Sequence, residues 1–391
     1  MLDRRDFLRA SSLLALAPTV PVFLARTAAA TTIAKDGRVL VVVQLDGGND
    51  ALNTVVPHAD PNYARLRPTL AARPSDLIRL NDTLGMHSAL RPLNGILEAG
   101  QLAFVPGVGY PNPSRSHFTG MAVWHTARLD SAEHTGYGWL GRALDPAAAS
   151  SYAVHGSVPG ALRGRRSRAI TLLSTEEMLL ASAAVAGNAT GPEPAHADGA
   201  LAFVRRQALD GYATSDRLAA LAQGTEAGRY PSTGLAQRLQ LVGRLLRSTL
   251  GARVFYTVQG GYDTHAGQRF AHSTLLGEFA GALAAFFTDL RAAGLAERVV
   301  LMAFSEFGRT IRENASAGTD HGTAGCVFLA GPGVRGGVCG LMPSLTELDQ
   351  GEPRMTTDFR RVYATVLEDW LGLGSRDILN GPFERIPLFR A

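Results

Sequence analysis

Apolar positions along the chain alternate between two patterns. Short runs rich in β-branched residues read as buried parallel strands: "RVLVVVQL" (38–45), "QLAFVPG" (101–107), "RAITLLS" (168–174), "RVFYTVQ" (253–259), "RVVLMAFS" (298–305) and "CVFLAG" (326–331). Between them the pattern changes to three- and four-residue steps, which predicts helices over 198–225, 233–250, 272–293 and 357–371. In the third, Leu275, Leu276, Phe279, Leu283, Phe286, Phe287 and Leu290 make one broad apolar face. In the fourth, Thr357 or Asp358 is positioned to cap the start and Gly372 or Gly374 to stop the end. Strand–helix alternation over this length predicts an α/β fold, a largely parallel central sheet with helices on both faces. The Ala- and Gly-rich stretch 176–200 has little periodicity and reads as a surface excursion or the start of a cap. No internal repeat or linker divides residues 31–391, so a single elaborated domain is expected there.

The first 30 residues follow different rules. Paired Arg4 and Arg5 precede Phe7 and Leu8, then an apolar segment that ends in Ala28-Ala29-Ala30. This is the pattern of an export signal with a small-residue cleavage site, and the twin arginines point to the twin-arginine export machinery. The expected location is therefore periplasmic or otherwise exported, with no stable membrane span after cleavage. That segment holds four Arg and two Asp, so its removal takes the formal net charge from +4 to about +2. Such a balance gives no footprint for nucleic acid. The basic cluster "RGRRSR" (163–168) reads as a solvated loop, or as an attractor for an anionic substrate. Cys326 and Cys339 are too few for a cysteine-rich zinc site. An exported chain permits a disulfide between them, whereas folding before export favours free thiols.

In open α/β sheets, ligands bind beyond the C-terminal ends of the strands. The residues at those positions are chemically alike. "DGGND" follows the first strand, with Asp46 and Asp50, and "YPNPSRSHFTG" follows the second, with Ser114, Arg115, Ser116 and His117. "GGYDTH" brings Asp263 and His265, and "SEFGR" brings Glu306 and Arg309. "GTDHG", with Asp320 and His321, lies just before 326–331. Carboxylates and imidazoles gathered at one sheet edge suit a divalent metal, Zn, Mn, Mg or Ca, as one ion or two. Ser116 or Ser114 is a nucleophile or a helix cap, or both. Arg115 and Arg309 are candidates to hold an oxyanion, with Arg309 alternatively a structural partner of Glu306. A nucleotide fingerprint, a G-x-S-x-G elbow, a Walker loop and H-E-x-x-H are all absent. That absence, with no cysteine set for an iron–sulfur cluster, counts against a cofactor-dependent oxidoreductase.

The stretches "GGNDALNTVVP", "YPNPSRSHFTGMAVWHTA", "GYGWLGRALD", "GGYDTHAGQ", "SEFGRTIRENASAGTDHGTAGCVFLAG" and "DFRRVYATVLEDWLG" resemble, in order and over nearly the whole chain, the exported bacterial proteins of domain of unknown function 1501. That family is similar to the alkaline phosphatase and sulfatase superfamily. The resemblance implies an alkaline phosphatase-like sheet, divalent metal, and hydrolysis or transfer of phosphate or sulfate esters. Carried over by position, it implies Asp50 (or Asp46), Asp263, His265, Glu306, Asp320 and His321 as metal ligands. Ser116 would be the nucleophile and Ser114 the second choice. Two positions depart from it. Phe307 stands where a histidine ligand is expected, and Pro111 stands where a sulfatase has its formylglycine precursor, which excludes that chemistry there. A non-catalytic envelope or surface-binding protein that keeps the fold is the alternative.

Overall fold

A computed structural model describes residues 37–134, 136–172, 228–248 and 252–390. The export signal, the predicted helix 198–225 and the stretch 176–200 lie outside the described residues.

The main sheet has nine strands. In chain order they are β1 (Val39–Leu45), β2 (Leu102–Gly109), β3 (Ser150–Val154), β4 (Arg168–Thr171), β5 (Val254–Gln259), β6 (Val299–Phe304), β7 (Gly325–Ala330), β8 (Gly337–Val338) and β9 (Thr357–Asp358). Across the sheet the order is β8-β2-β7-β6-β1-β5-β3-β4, with β9 also paired to β2. β1 is central. It runs parallel to β5, with Leu45 opposite Gln259, and parallel to β6, with Gln44 opposite Phe304. β3 pairs parallel with both β4 and β5.

The sheet is largely parallel as expected, but one run read as a parallel strand is not. The run 326–331 forms β7, which is antiparallel to both of its neighbours, β2 and β6. An apolar run buried on both faces carries no sign of its direction, because direction is set by the connection that leads into it. The reversal has a consequence for the site: the residues that enter β7 lie at the same edge as the residues that leave β1, β5 and β6.

Both faces of the sheet are covered. Along β1, Val39, Val41, Val43 and Leu45 join one core cluster, while Leu40 and Val42 join the other. This is the period-two alternation of a strand packed on each side. Each such residue is fully buried, worth about 1.5–3 kcal/mol apiece. Helices α2 (Gly234–Arg247) and α3 (Gln268–Ala292) supply apolar faces to the first cluster. Helices α1 (His117–Thr126) and α4 (Phe359–Thr365) cover the second. Asp358 caps α4 by accepting from the Arg360 N–H, and the helix runs on through a π turn, Val366–Trp370. α3 is long and apolar enough to cross a membrane by length and composition, contrary to the expectation that no stretch outside the signal would be. Here its apolar face, from Leu276 to Leu290, lies in the core.

Beneath the edge where β1, β5 and β6 end lies a buried polar layer. Arg67 pairs with Asp50 at 2.6 Å, with neither side chain exposed. Gln268 donates to Asp50 and accepts from Thr264 and Thr319, so one amide ties the segments after β1, after β5 and before β7. His272 bonds Asn49 at 2.9 Å. Burial pushes the His272 imidazole down to about 4, against the opposing attraction of Asp50. The unfolded chain therefore takes up this proton first as pH falls. The contribution is complete above about 6.5 and is lost on descent toward about 4, at about 1.4 kcal/mol per pH unit. Urea unfolding at pH 7.5 and pH 5 should show the difference in unfolding free energy between them shrink by about 2 kcal/mol in His272→Gln. An unchanged difference would show that His272 is not buried as the neutral ring.

Candidate metal centre

Four sheet-edge segments and the start of α1 converge on Asp263. Ser116 is the N-cap of α1, and His117 is its first helical residue. The ligand atoms of His117, Asp263 and His321 all lie within 4.8 Å of one another. His321 Nε2 is 3.0 Å from Asp263 Oδ1, and His117 Nε2 is 3.5 Å from Asp263 Oδ2. His265 Nε2 joins them, 3.0 Å from both Asp263 Oδ1 and His321 Nε2.

The other nitrogen of each ring explains this arrangement. His117 Nδ1 meets Glu306 Oε1 at 2.7 Å. His321 Nδ1 meets the Arg115 carbonyl at 2.7 Å, and His265 Nδ1 meets Asp320 Oδ1 at 3.0 Å. All three partners are acceptors, so each Nδ1 carries the proton. In a neutral imidazole the lone pair then sits on Nε2. Three lone pairs therefore converge on a carboxylate and on one another. Unrelieved, this is repulsive. Extra protons or a cation must lie among them, and one divalent ion satisfies every lone pair at once. His117 Nε2 supplies the independent observation, because it is buried and has no hydrogen-bond partner. Two nitrogens and a carboxylate oxygen, with a third nitrogen alongside, form a donor set that suits Zn, whereas Mg and Ca favour oxygen ligands.

Glu306, expected as a ligand, is placed as an orienting group. Its carboxylate accepts from Gly47 N–H at 3.0 Å, from Gly48 N–H at 3.3 Å and from Ser305 Oγ at 3.1 Å, in addition to His117. This is a carboxylate–histidine pair of the kind that fixes a metal ligand's tautomer. Asp320, also expected as a ligand, performs the same service for His265, with Asn314 as a second donor. The hydrogen bond from His265 holds the Asp320 carboxyl below its usual range.

Asp50 is not brought to the ion site. Its carboxylate is spent on Arg67 and Gln268 in the buried layer. Its position just after β1 is shared with a real sheet-edge residue, but it caps the next helical turn by accepting from Asn53 N–H. Asp46, the alternative, bonds the Gln44 amide. Asp263 is the carboxylate that faces the rings. Partial burial acts to raise its carboxyl, but the Arg309 hydrogen bond and charge hold it well below its usual range.

Arg309 is not free to hold a substrate anion. It is buried, and its guanidinium donates to the carbonyls of Gly47, Gly48, Tyr262 and Thr319 and to Asp263. Glu306 is not among its partners. Arg115 contributes its carbonyl to His321, and the residue lines a separate cavity of about 620 Å³ bounded also by Arg354 and Tyr110. The Ser116 side chain is exposed and makes no capping hydrogen bond, which leaves its hydroxyl available beside His117. Ser114 Oγ instead accepts from the Ser116 N–H.

His117 stands at the sheet edge where the sequence puts it, but it is absent from the expected ligand set. It stands directly after Ser116 in a segment already singled out, but a histidine in the first turn of a helix gives no sign of its direction. The imidazole expected at position 307 is replaced by Phe307, 1% exposed. Its ring packs 5.0 Å from that of His117 and 4.8 Å from that of His321. Phe307 is thus the wall that holds two ligand rings. Gly48 makes room for it: φ is +81°, and a Cβ there would come within 2.6 Å of the Phe307 ring. Cys326 is buried and Cys339 half-buried, and both are free thiols.

Fold and site together define an α/β protein with a candidate divalent-metal centre at the C-terminal edge of its sheet. Residues 106–382 match the family described as "Protein of unknown function (DUF1501)", and the chain belongs to that family. No curated protein matches it. Solved structures similar to it include the lipoteichoic acid synthase LtaP from Listeria monocytogenes, at 10% identity and TM-score 0.38, over 86% of this chain and 80% of that one. Also similar are BT1596, a 2-O GAG sulfatase (8% identity, TM-score 0.32, 76% and 65% of the two chains), and an alkaline phosphatase from the Antarctic bacterium TAB5 (10%, 0.31, 76% and 92%). At such TM-scores these likenesses have no bearing on chemistry. The order and directions of the strands are what make the fold α/β.

The purified chain, loaded with Zn²⁺ or Mn²⁺ and dialysed, should retain at least one ion per chain by elemental analysis. His117→Ala, Asp263→Ala and His321→Ala should each abolish retention. Glu306→Gln should weaken it about 10–100-fold by releasing the His117 tautomer. Asp50→Asn should retain the ion while losing about 3–5 kcal/mol of stability, because Arg67 is left buried and unpaired. Ion loss in Asp50→Asn with the fold intact would contradict this placement.

Proposed function

We propose that the protein is an exported metal-dependent hydrolase or transferase acting on phosphate or sulfate esters. The observation that carries this reading is the buried, unpartnered Nε2 of His117, which faces Asp263 and His321 beside an exposed serine at a helix start. A divalent ion bound there supplies Lewis acidity toward an ester oxygen. His117, Asp263 and His321 hold it, with His265 as a fourth donor. Glu306, Asp320 and the Arg115 carbonyl keep the imidazoles turned inward.

Ser116 supplies the attacking oxygen. Its Oγ forms a bond to phosphorus or sulfur as the bond to the ester's alcohol oxygen breaks, and the serine proton ends on the departing alcohol. Water then cleaves the seryl ester to release phosphate or sulfate and restore the hydroxyl. The unpaired N–H groups of the first turn of α1 favour an anion at this point. With Arg309 committed elsewhere, they are the donors closest in the chain to Ser116.

The engagement of Arg309 also favours a second reading, a non-catalytic envelope or surface-binding protein with a structural ion, because among the described residues no buried arginine is left to grip a substrate. The twin-arginine signal assigns either protein to the periplasm or another exported location, with the export machinery as a partner.

Aryl phosphate monoesters, phosphate diesters and aryl sulfates, assayed with the Zn²⁺- and Mn²⁺-loaded chain, should reveal turnover of at least one class. Ser116→Ala should lower kcat by at least about 100-fold while leaving ion content unchanged. Turnover of none of them by an ion-loaded chain would favour the binding protein.

A further inference from the structure

A cavity of about 740 Å³ opens beside the ion site, and His117 and Asp263 form part of its wall. Gln44, Asp46 and His125 also line it, outside the metal centre, and the buried Tyr256 is bonded to them. Tyr256 O–H donates to Gln44 Oε1 at 2.6 Å, and Gln44 Nε2 donates to Asp46 Oδ1 at 3.0 Å. His125 Nε2 lies 3.0 Å from the same Gln44 Oε1. An amide oxygen only accepts, so His125 Nε2 must carry a proton. Burial pushes the His125 ring down to about 4, so it is neutral at ordinary pH. Its lone pair is therefore on Nδ1. Among the described residues no donor meets that nitrogen, and Gly160, which lines the same cavity, packs beside it without a side chain. A Cβ at position 160 would come within 2.8 Å of it.

The lining thus presents acceptors, His125 Nδ1 and the Asp46 carboxylate, which call for a ligand rich in O–H or N–H donors. Asp46 and Arg163 border the space away from the wall it shares with the ion site, where Asp263 stands. At the mouth stands Phe118, 91% exposed, one residue beyond His117. An exposed aromatic face beside a polar recess suits the apolar face of a hydroxylated ring.

We propose that this cavity is a subsite for an uncharged, polyhydroxylated ring of the sugar type, bound through His125 Nδ1 and Asp46 and covered by Phe118. The inference deepens the reading of the adjoining centre as an ester hydrolase or transferase: the ring would be the alcohol part of the ester, which makes the substrate a sugar phosphate or sugar sulfate. His125 is a specificity-determining residue here and takes no part in bond cleavage.

The test uses the ion-loaded chain and an uncharged probe, so that it does not depend on turnover. Methyl α-D-glucopyranoside is titrated against wild type, His125→Phe and Gly160→Ala, with cyclohexanol as a ring that lacks the additional hydroxyls, and binding is followed by saturation-transfer NMR. The expected result is saturable binding of the glucoside, at least tenfold weaker binding of cyclohexanol, and at least tenfold loss in both variants with ion content unchanged. In wild type, the His125 Nδ1 resonance should shift with the titration, which keeps the test decisive if either variant fails to fold. No saturable binding, equal binding of the two rings, or a silent His125 resonance overturns the subsite. Glucose 6-phosphate and glucose 6-sulfate separate the two layers of inference. Glucoside binding without cleavage of either ester or of aryl esters removes the hydrolase reading and keeps the subsite. Aryl ester cleavage without glucoside binding does the reverse.

Discussion

The candidate site depends on one buried cation. Arg309 is 2% exposed and donates to carbonyls contributed by the segments after β1, after β5 and before β7, while itself belonging to the segment after β6. Gln268 ties the same three segments from α3, and Arg309 joins the segment after β6 to them. A charge buried to this extent costs several kcal/mol unless its hydrogen bonds are met, and here they are met by main chain and Asp263 together. Main-chain acceptors make the arrangement rigid, since carbonyls cannot swing away as side chains do. The same guanidinium fixes Asp263 in place and keeps it ionised, so structural brace and ligand chemistry are joined in one contact.

Around this brace, the imidazoles are set before any ion arrives. Each has its outer nitrogen tied to an oxygen, so binding need not pay for choosing a tautomer or a ring rotation. Phe307 adds a wall against two of the rings. The positive φ values at Gly47 and Gly48 let the turn after β1 point its N–H groups at Glu306 while leaving space for that wall. Chemistry and packing are thus inseparable in this region.

The α/β class, six of the nine described sheet strands and helices α2, α3 and α4 were legible from periodicity, while α1 was not. β3 escaped because "SSYAV" is short and half polar, and β8 and β9 are two-residue pairings that leave no pattern. The direction of β7 was invisible for the reason given above, yet the sheet-edge rule still found Asp320 and His321, because a reversed strand places its entrance where the others place their exits. Within the site, residue type and location were readable, while roles were not. Asp50, Glu306, Asp320 and Asp263 all follow or precede strands, and nothing local distinguishes a carboxylate that meets Arg67 or an imidazole N–H from one that meets three lone pairs. That distinction depends on partners far away in sequence. His117 was hidden by helical rotation, which places neighbouring side chains about 100° apart.

The central position of β1 also has a consequence for how the chain acquires its structure. Its two partners are β5 and β6, whose pairings join Val39 to Val299 and Leu40 to Val254. As the chain emerges during synthesis, β1 must wait for more than 200 residues to follow before its first partner exists, and later still for its second. Contacts at such separation are slow to form and assemble cooperatively. His117 at the start of α1, Asp263 and His265 after β5 and His321 before β7 therefore come together only once these distant strands have paired, so that capture of an ion would report completion of the sheet.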